Sequence, residues 1–312
     1  MKNKHLEPIN NVRNYLHNIW ELTKRNMRIF LKNKTSVLFS MLAPVLILVI
    51  YILFMGEFQV DMIANNLPES VEVSRKSISS ITHAWMLSGI VGISSLTVAL
   101  NSMFIAISDK ERRVIDDFTA SPVKLVNLTL SYFISAFILT FVICFLFLII
   151  GIIYLIIATG VGFTFLDLFS LFGILILSTL SAVIVLMCIT TFFKTTSAAS
   201  SFTGIFSALV GFLIGAYLPV SILPKGIQNF ANLIPGSHST GLFRTVFMKR
   251  MIESLPEGIS PEFIEQIKGT YGFDLQIFGA KINSSHMYLY LTASIFVFFI
   301  AYLVINKWIK KK

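Results

Sequence analysis

Charge is what this sequence has least of. Asp, Glu, Lys and Arg make up 13% of its 312 residues, against roughly 25% in an ordinary soluble domain. With 55% hydrophobic residues and a mean hydropathy of +0.79, that scarcity excludes a soluble globular protein and leaves an integral membrane one. Cysteine is nearly missing too. Cys144 and Cys188 both fall inside apolar runs, where they read as small buried side chains rather than a disulfide or metal ligands. The five histidines, His5, His17, His83, His238 and His286, are scattered, and none pairs at a metal-ligand spacing. No G-x-x-x-x-G-K-S/T run occurs, and the dipeptide Gly-Lys is absent, so the chain lacks the loop whose amides cradle nucleotide phosphates. Ionisable residues are almost absent from the apolar runs, with Asp167 at the end of one; ion-coupled carriers usually need such groups at membrane depth. No Ser/His/Asp or Cys/His arrangement stands out, which leaves an intramembrane enzyme without chemistry. A transport protein of this composition has to be driven from outside the chain.

What is present is six apolar runs, at about 36–54, 84–107, 128–157, 166–193, 200–218 and 287–306. Each approaches or exceeds the roughly 20 residues that a helix needs to cross a bilayer. They are too long for barrel strands and show no period-2 alternation, so the fold class is an all-α polytopic membrane protein with six transmembrane helices. More than 30 largely polar residues precede the first run and no small-residue cleavage pattern follows it, so it is not a cleaved signal peptide.

The net charge of +9 points to topology rather than to nucleic acid. Lys2, Lys4, Arg13, Lys24, Arg25, Arg28, Lys32 and Lys34 precede span one. Lys110, Arg112, Arg113 and Lys124 lie between spans two and three, Lys194 between four and five, and Lys307, Lys310, Lys311 and Lys312 follow span six. The short alternate loops hold only Arg75 and Lys76. The positive-inside rule therefore expects both termini in the cytoplasm.

Residues 10–34 predict a basic amphipathic helix. Val12, Tyr15, Leu16, Ile19, Trp20, Thr23, Met27 and Phe30 form one face, and Arg13, Asn14, His17, Glu21, Lys24, Arg25, Arg28 and Lys32 the other. Such a helix suits the lipid interface. The polar loop expected at 56–83, acidic at Glu57, Asp61, Glu69 and Glu72, is too small for a domain. Span two carries a polar stripe of Ser94, Thr97, Asn101 and Ser108 at helical spacing, suited to interhelical hydrogen bonds or to lining a path. In the next loop, 108–124, Ser108 and Glu111 have capping-box spacing. Val114, Ile115 and Phe118 make a small apolar edge, and Pro122 is expected to stop the helix. A short capped helix between two spans fits docking of a partner. Span five is rich in small residues, and Gly211 and Gly215 form a GxxxG pair expected to pack closely against another helix.

The segment 218–247, LPVSILPKGIQNFANLIPGSHSTGLFRTVF, is broken by Pro219, Pro224 and Pro235, with Ile227, Phe230, Ala231 and Ile234 at helical spacing. A half-apolar broken hairpin beside a span implies a segment that dips into the membrane, tolerated only where protein or water covers its backbone. A polar insert is expected at 249–285, with a short helix starting near Ser260-Pro261.

Two of these segments carry a resemblance. Glu111 and Arg112 leading to Ser121-Pro122-Val123 resemble the first intracellular loop of type-2 ABC exporter permeases. Leu218-Pro219-Val220, Leu223-Pro224, Leu233-Ile234-Pro235 and Gly241-Leu242-Phe243-Arg244 resemble that family's signature between its fifth and sixth spans. With the N-terminal helix and six spans, the resemblance covers essentially the whole chain. It implies a connecting helix over 1–35, followed by a six-span domain over 36–312. Within that domain it implies a coupling helix at about 109–120, docking on a separate ATP-binding subunit through Glu111, Arg112, Val114, Ile115 and Phe118. An extracellular re-entrant hairpin would hold Pro219, Pro224, Pro235 and Arg244. Two six-span subunits would pair, a second copy or a relative, with Ser94, Thr97, Asn101, Phe104, Phe206, Ser207 and Val210 lining a path between spans two and five. ATP and Mg would be bound by the partner, with no cofactor and no catalytic residue on this chain.

The resulting expectation is a plasma-membrane permease subunit of a bacterial ATP-driven exporter. Its uncharged lining favours a lipophilic or amphipathic cargo such as a drug, an antimicrobial peptide or a lipid-like toxin. A polysaccharide exporter is the alternative within the class. A secondary transporter would need an internal repeat and midplane charges, and a scaffold or sensor would not depend on an ATPase.

Overall fold

The structure is a computed structural model, and it describes residues 6–65, 74–120, 123–255 and 259–309. Pro122, expected to stop the short helix, lies outside the described residues with Ser121, as do Glu69, Glu72, Lys2, Lys4, Lys310, Lys311 and Lys312. The side chains of Val12, Arg13 and Asn14 also lie outside them.

Helix α1 (Leu6–Lys32) leads into α2 (Lys34–Ile50), whose first turn is capped by Asn33 accepting from the Ser36 amide at 3.1 Å. A π turn over Tyr51–Met55 and then α3 (Gly56–Ala64) prolong the same helical run. Span one thus covers Lys34–Ala64, and the loop expected from Gly56 starts only beyond it. The π turn absorbs one extra residue without breaking the helix, which lets the polar stretch of Glu57, Gln59 and Asp61 stay helical.

Span two is α4 (Arg75–Ser102) continued by α5 (Phe104–Glu111), and a six-residue helix α6 (Val114–Thr119) follows. Spans three to five are α7 (Leu125–Thr159), α8 (Phe165–Thr190) and α9 (Thr196–Leu213). Among the described residues six apolar helices are long enough to cross a membrane, α13 (Ser284–Ile309) supplying the last. The six-span all-α expectation holds. Span two is the centre, with every residue from Ala84 to Ser102 buried. Spans one, three, five and six turn large apolar side chains outward, among them Phe39, Ile150, Ile205, Phe296 and Val304, as a surface in contact with lipid requires.

Between spans five and six the prolines act as helix starters. Pro219 precedes a 3₁₀ turn at Val220–Ile222, Pro224 precedes α10 (Lys225–Leu233), and Pro235 is the first residue of α11 (Pro235–Glu253). A proline there forfeits no intrahelical bond, and its fixed φ suits the first turn. Helix α11 is not a loop wall but a core element: Gly236 to Arg244, Phe247, Met248 and Met251 are all buried. It takes in Lys249 and Arg250, so the polar insert begins after Glu253 rather than at Lys249. The insert holds α12 (Pro261–Thr270), capped by Ser260 where expected, and an antiparallel hairpin of β1 (Leu275–Ile277) and β2 (Ala280–Ile282).

Span two receives α11 at Gly92 and the turn after span five at Gly89. A Cβ on Gly92 would lie 2.1 Å from Thr240 Oγ1, and one on Gly89 would lie 2.9 Å from the Ala216 Cα. Only a residue without a side chain allows approach this close.

A helix junction and a cavity between spans as the candidate functional site

The end of the bundle that carries α1 is organised by three consecutive residues at the end of span two. Successive helical side chains diverge by about 100°, and Asp109, Lys110 and Glu111 reach three different neighbours. Asp109 is buried and takes both Nη1 and Nη2 of Arg25 from α1, at 2.7 and 3.0 Å, and the Tyr132 hydroxyl of α7 at 2.6 Å. That fork is the strong form of ion pair, and the carboxylate raises the Arg25 pKa further above its ordinary value. Lys110 Nζ donates to the carbonyls of Thr191 and Phe193 at 3.0 and 3.2 Å, capping the carbonyl end of α8 with a cation. Glu111 Oε2 accepts from the amide and the hydroxyl of Thr196 at 3.0 and 2.6 Å, placing an anion on the amide end of α9.

The capping box expected between Ser108 and Glu111 does not form. Span two stays helical through both residues, and the chain turns at Arg113, in the left-handed region with φ 58°. Glu111 is committed to α9 instead. In α6 the apolar edge turns inward: Ile115 and Phe118 are half-buried against the cluster of Leu22, Phe30 and Leu128, and the Arg25 guanidinium lies 5.5 Å from the Phe118 ring centre. Val114 is half-buried too. The residues exposed on this turn and helix are Arg112, Arg113, Asp116 and Asp117.

Helix α1 has two apolar sides. Ile19, Leu22 and Phe30 are buried, Leu22 and Phe30 in one cluster with Leu128 and Tyr132 of α7, whereas Leu16 and Trp20 stay exposed on the outer edge. The expected single face is thus divided between protein and surroundings.

Beside this junction, spans one, two and five line a partly open cavity of about 610 Å³. Binding sites for small molecules typically run about 300–1,000 Å³. Phe39, Leu42 and Leu46 supply one wall, and Ser200, Thr203 and Ser207 the other. Of the expected path residues, Asn101, Phe104 and Ser207 line it. The others sit elsewhere. Ser94 is fully buried and bonds its hydroxyl to the Ile90 carbonyl, while Thr97 reaches the carbonyls of Ile93 and of Ser40 on span one. Phe206 stacks on Phe202, and Val210 is core. Sequence reasoning missed Phe39, Thr203 and Tyr217, which also line the cavity.

The GxxxG pair has a different job from the one expected. Span five ends at Leu213, and Gly215 has φ +70°. The Ala216 amide bonds the Gly211 carbonyl at 2.7 Å and the Gly215 amide bonds that of Phe212 at 3.2 Å, which is a Schellman motif with glycine just past the helix end. The chain then folds Tyr217 back along α9, so that a Cβ on Gly211 would lie 2.2 Å from its ring. Gly211 is a slot for Tyr217, not a seat for another helix.

At the far end, Arg244 of α11 is fully buried. Its Nη2 donates to the Gly215 carbonyl at 2.6 Å, and its guanidinium sits 5.6 Å from the Trp85 ring centre. A Cβ on Gly272 would lie 2.5 Å from its Nη1. Arg244 thereby joins the exit of span five, span two and the insert. Arg250 ties the other end of α11 to the start of span four through Asp167 and Thr164, at 2.6 and 2.8 Å.

No curated protein matches the chain in sequence. The pattern described as "ABC-2 family transporter protein" matches residues 57–305, which takes in only the last turns of span one, spans two to five and nearly all of span six, and with them the glycine-lined contact, Asp109, Lys110 and Glu111, and the proline-started hairpin. The chain belongs to the ABC-2 transporter family and is a multi-pass membrane transport component.

Proposed function

We propose that the chain is the permease subunit of an ATP-driven exporter that carries lipophilic or amphipathic molecules out of a bacterial cell. The observation that carries this reading is the cavity of about 610 Å³ between spans one, two and five. Its walls are apolar and aromatic at Phe39, Leu42, Leu46 and Phe104, with small hydroxyls at Ser200, Thr203 and Ser207. A lining of that chemistry suits a greasy cargo with a few hydrogen-bonding groups. Spans one and five, which line the cavity, also turn apolar side chains such as Phe39 and Ile205 outward, where a second permease, a copy or a relative, would complete the wall.

On this reading the end with α1 is cytoplasmic, as the basic loops imply, and Leu16 and Trp20 rest in the lipid interface. Helix α6 is the coupling helix. Its contact with a separate ATP-binding subunit runs through the exposed Arg112, Arg113, Asp116 and Asp117, while Val114, Ile115 and Phe118 hold the helix to its own protein. The hairpin from Pro219 to Arg244 is the extracellular re-entrant element. ATP and Mg are held by the partner chain.

The test is co-expression with an ABC ATPase subunit, co-purification, and ATP-dependent uptake of a lipophilic dye into inside-out vesicles. Arg112→Glu combined with Asp117→Lys abolishes co-purification and uptake on this reading. Unchanged co-purification of that variant overturns the docking assignment, and absence of ATP-dependent uptake with the unmodified pair overturns the exporter.

A further inference from the structure

The three ties at the end of span two are unequal. Asp109 is buried and doubly bonded to Arg25, and Lys110 covers two carbonyls of α8. Both tie the end of span two to α1, α7 and α8. Glu111 alone is exposed to solvent, and it lies two residues before the left-handed turn at Arg113 that leads into α6. A tilt of α6 about that turn moves Glu111 first.

The element that Glu111 holds is the least buried of the three spans that line the cavity. Among the residues of α9 only Ala199, Val210 and Gly211 are buried. The helix is pinned at its two ends, by Glu111 on Thr196 and by the Gly215 carbonyl on Arg244. Between these pins its hydroxyl face forms one cavity wall. Ser200, Thr203 and Ser207 lie about one, two and three turns beyond Thr196. Water competes for the exposed pin and not for the buried one.

We infer that Glu111 is a positioning residue, a latch whose carboxylate on Thr196 holds the α1-end of span five against span two and restricts entry to the cavity. Movement of α6 withdraws the carboxylate, and the start of span five swings away from span two. This deepens the exporter reading and rests on it for the driving force, while the latch itself can be tested on the permease alone. It also assigns Glu111 a role inside the chain, in place of direct contact with the ATPase.

The experiment uses Ser207→Cys as a reporter in a Cys144→Ala, Cys188→Ala background, reconstituted in nanodiscs and labelled with a water-soluble maleimide. Glu111→Ala raises the labelling rate about tenfold, Thr196→Val raises it less because the backbone amide still donates, and Thr196→Ser restores the parent rate. A second arm adds the ATPase subunit. It still co-purifies with Glu111→Ala, but ATP no longer changes the labelling rate. Equal labelling rates in the parent, Glu111→Ala and Thr196→Val overturn the latch, and so does loss of ATPase co-purification in Glu111→Ala with its labelling unchanged. If the parent binds no ATPase while the first arm behaves as stated, the exporter reading fails and the latch stands.

Discussion

The glycine-lined contact on span two makes a prediction whose size follows from what each glycine meets. Gly89 faces main chain: an added Cβ would come within 2.9 Å of the Ala216 Cα and 3.1 Å of its Cβ. Gly92 faces a side-chain tip, Thr240 Oγ1 at 2.1 Å, with the Thr240 Cβ behind it at 3.1 Å. Overpacking typically costs about 1–3 kcal/mol, and replacing a helix glycine by alanine returns about 1 kcal/mol of propensity. Backbone cannot rotate away, so Gly89→Ala stands at the upper end and destabilises by about 2 kcal/mol net. Gly92→Ala costs about 1 kcal/mol net, despite the shorter contact, because the Thr240 hydroxyl can leave its bond to the Gly236 carbonyl. Thr240→Ala alone costs about 0.6 kcal/mol, the usual worth of a membrane hydrogen bond. In the Gly92→Ala background it is neutral or stabilising, a coupling of about 1 kcal/mol. The assay is thermal unfolding of the four cycle members and Gly89→Ala in nanodiscs, at about 1.5 °C per kcal/mol for a chain of this size. The reasoning fails if Gly89→Ala melts with the parent, or if Gly92→Ala and Thr240→Ala add within about 0.5 kcal/mol.

Asp109→Asn leaves the part-buried Arg25 without its anion and is expected to lower stability by about 2 kcal/mol, below the full cost of a broken buried pair because Arg25 is 30% exposed; Tyr132→Phe, which removes one bond to the same carboxylate, costs about 1 kcal/mol in the same unfolding assay. Gly211→Ala pushes the Tyr217 ring off its slot towards the cavity, so export of a bulky dye falls while that of a small one is spared; equal loss for both would refute the slot. In the insert, Glu265 is held below the ordinary carboxylate range by Lys281, its first cause, and Lys281 is raised by Glu265 and Asp274. The depressed Glu265 stabilises the insert at neutral pH, and that contribution is lost as pH falls through and below the ordinary glutamate range. The raised Lys281 loses its contribution only as pH climbs through its elevated value. A Phe278→Trp reporter on the exposed hairpin turn should therefore hold a steady emission from about pH 6 to 9 and change in acid; Lys281→Ala should abolish the acid transition.

The sequence made the spans, the basic N-terminal helix, the Ser260 cap and the proline starts legible because each is a local rule: a run long enough for a bilayer, a period of 3.6, a cap residue, a fixed φ. The same locality misled the reading of Ser108 and Glu111. Their spacing satisfies a capping box, but that pairing competes with a partner 85 residues away, the Thr196 amide and hydroxyl at the start of α9, which donate to the Glu111 carboxylate. Nothing local to Asp109 or Lys110 announces Arg25 or the carbonyls of Thr191 and Phe193, so charges that look solvated in sequence turn out to be structural. Gly89 and Gly92 carry no local signal for a related reason, since their meaning lies in Ala216 and Thr240 on other elements.

The GxxxG pair is the opposite case, because the deciding signal was in the sequence. Glycine is the residue favoured just past a helix end, and Pro219, four residues after Gly215, opposes any helix continuing through this stretch. A helix that stops at Leu213 cannot present Gly215 on a packing face. The left-handed glycine instead reverses the chain, lays Tyr217 over Gly211 beside the cavity and turns the Gly215 carbonyl to the buried Arg244. Substituting Gly215 therefore tests both consequences together. Alanine there must hold φ near +70° and sits 2.9 Å from Val220 Cγ2 and 3.2 Å from Arg244 Nη2, so a cost of about 1–3 kcal/mol follows from backbone strain alone. If the turn is what seats Tyr217, Gly215→Ala also reproduces the bulky-dye defect of Gly211→Ala. If the pair were a helix-packing motif, Gly215→Ala would weaken association between permease subunits and leave the cavity unchanged.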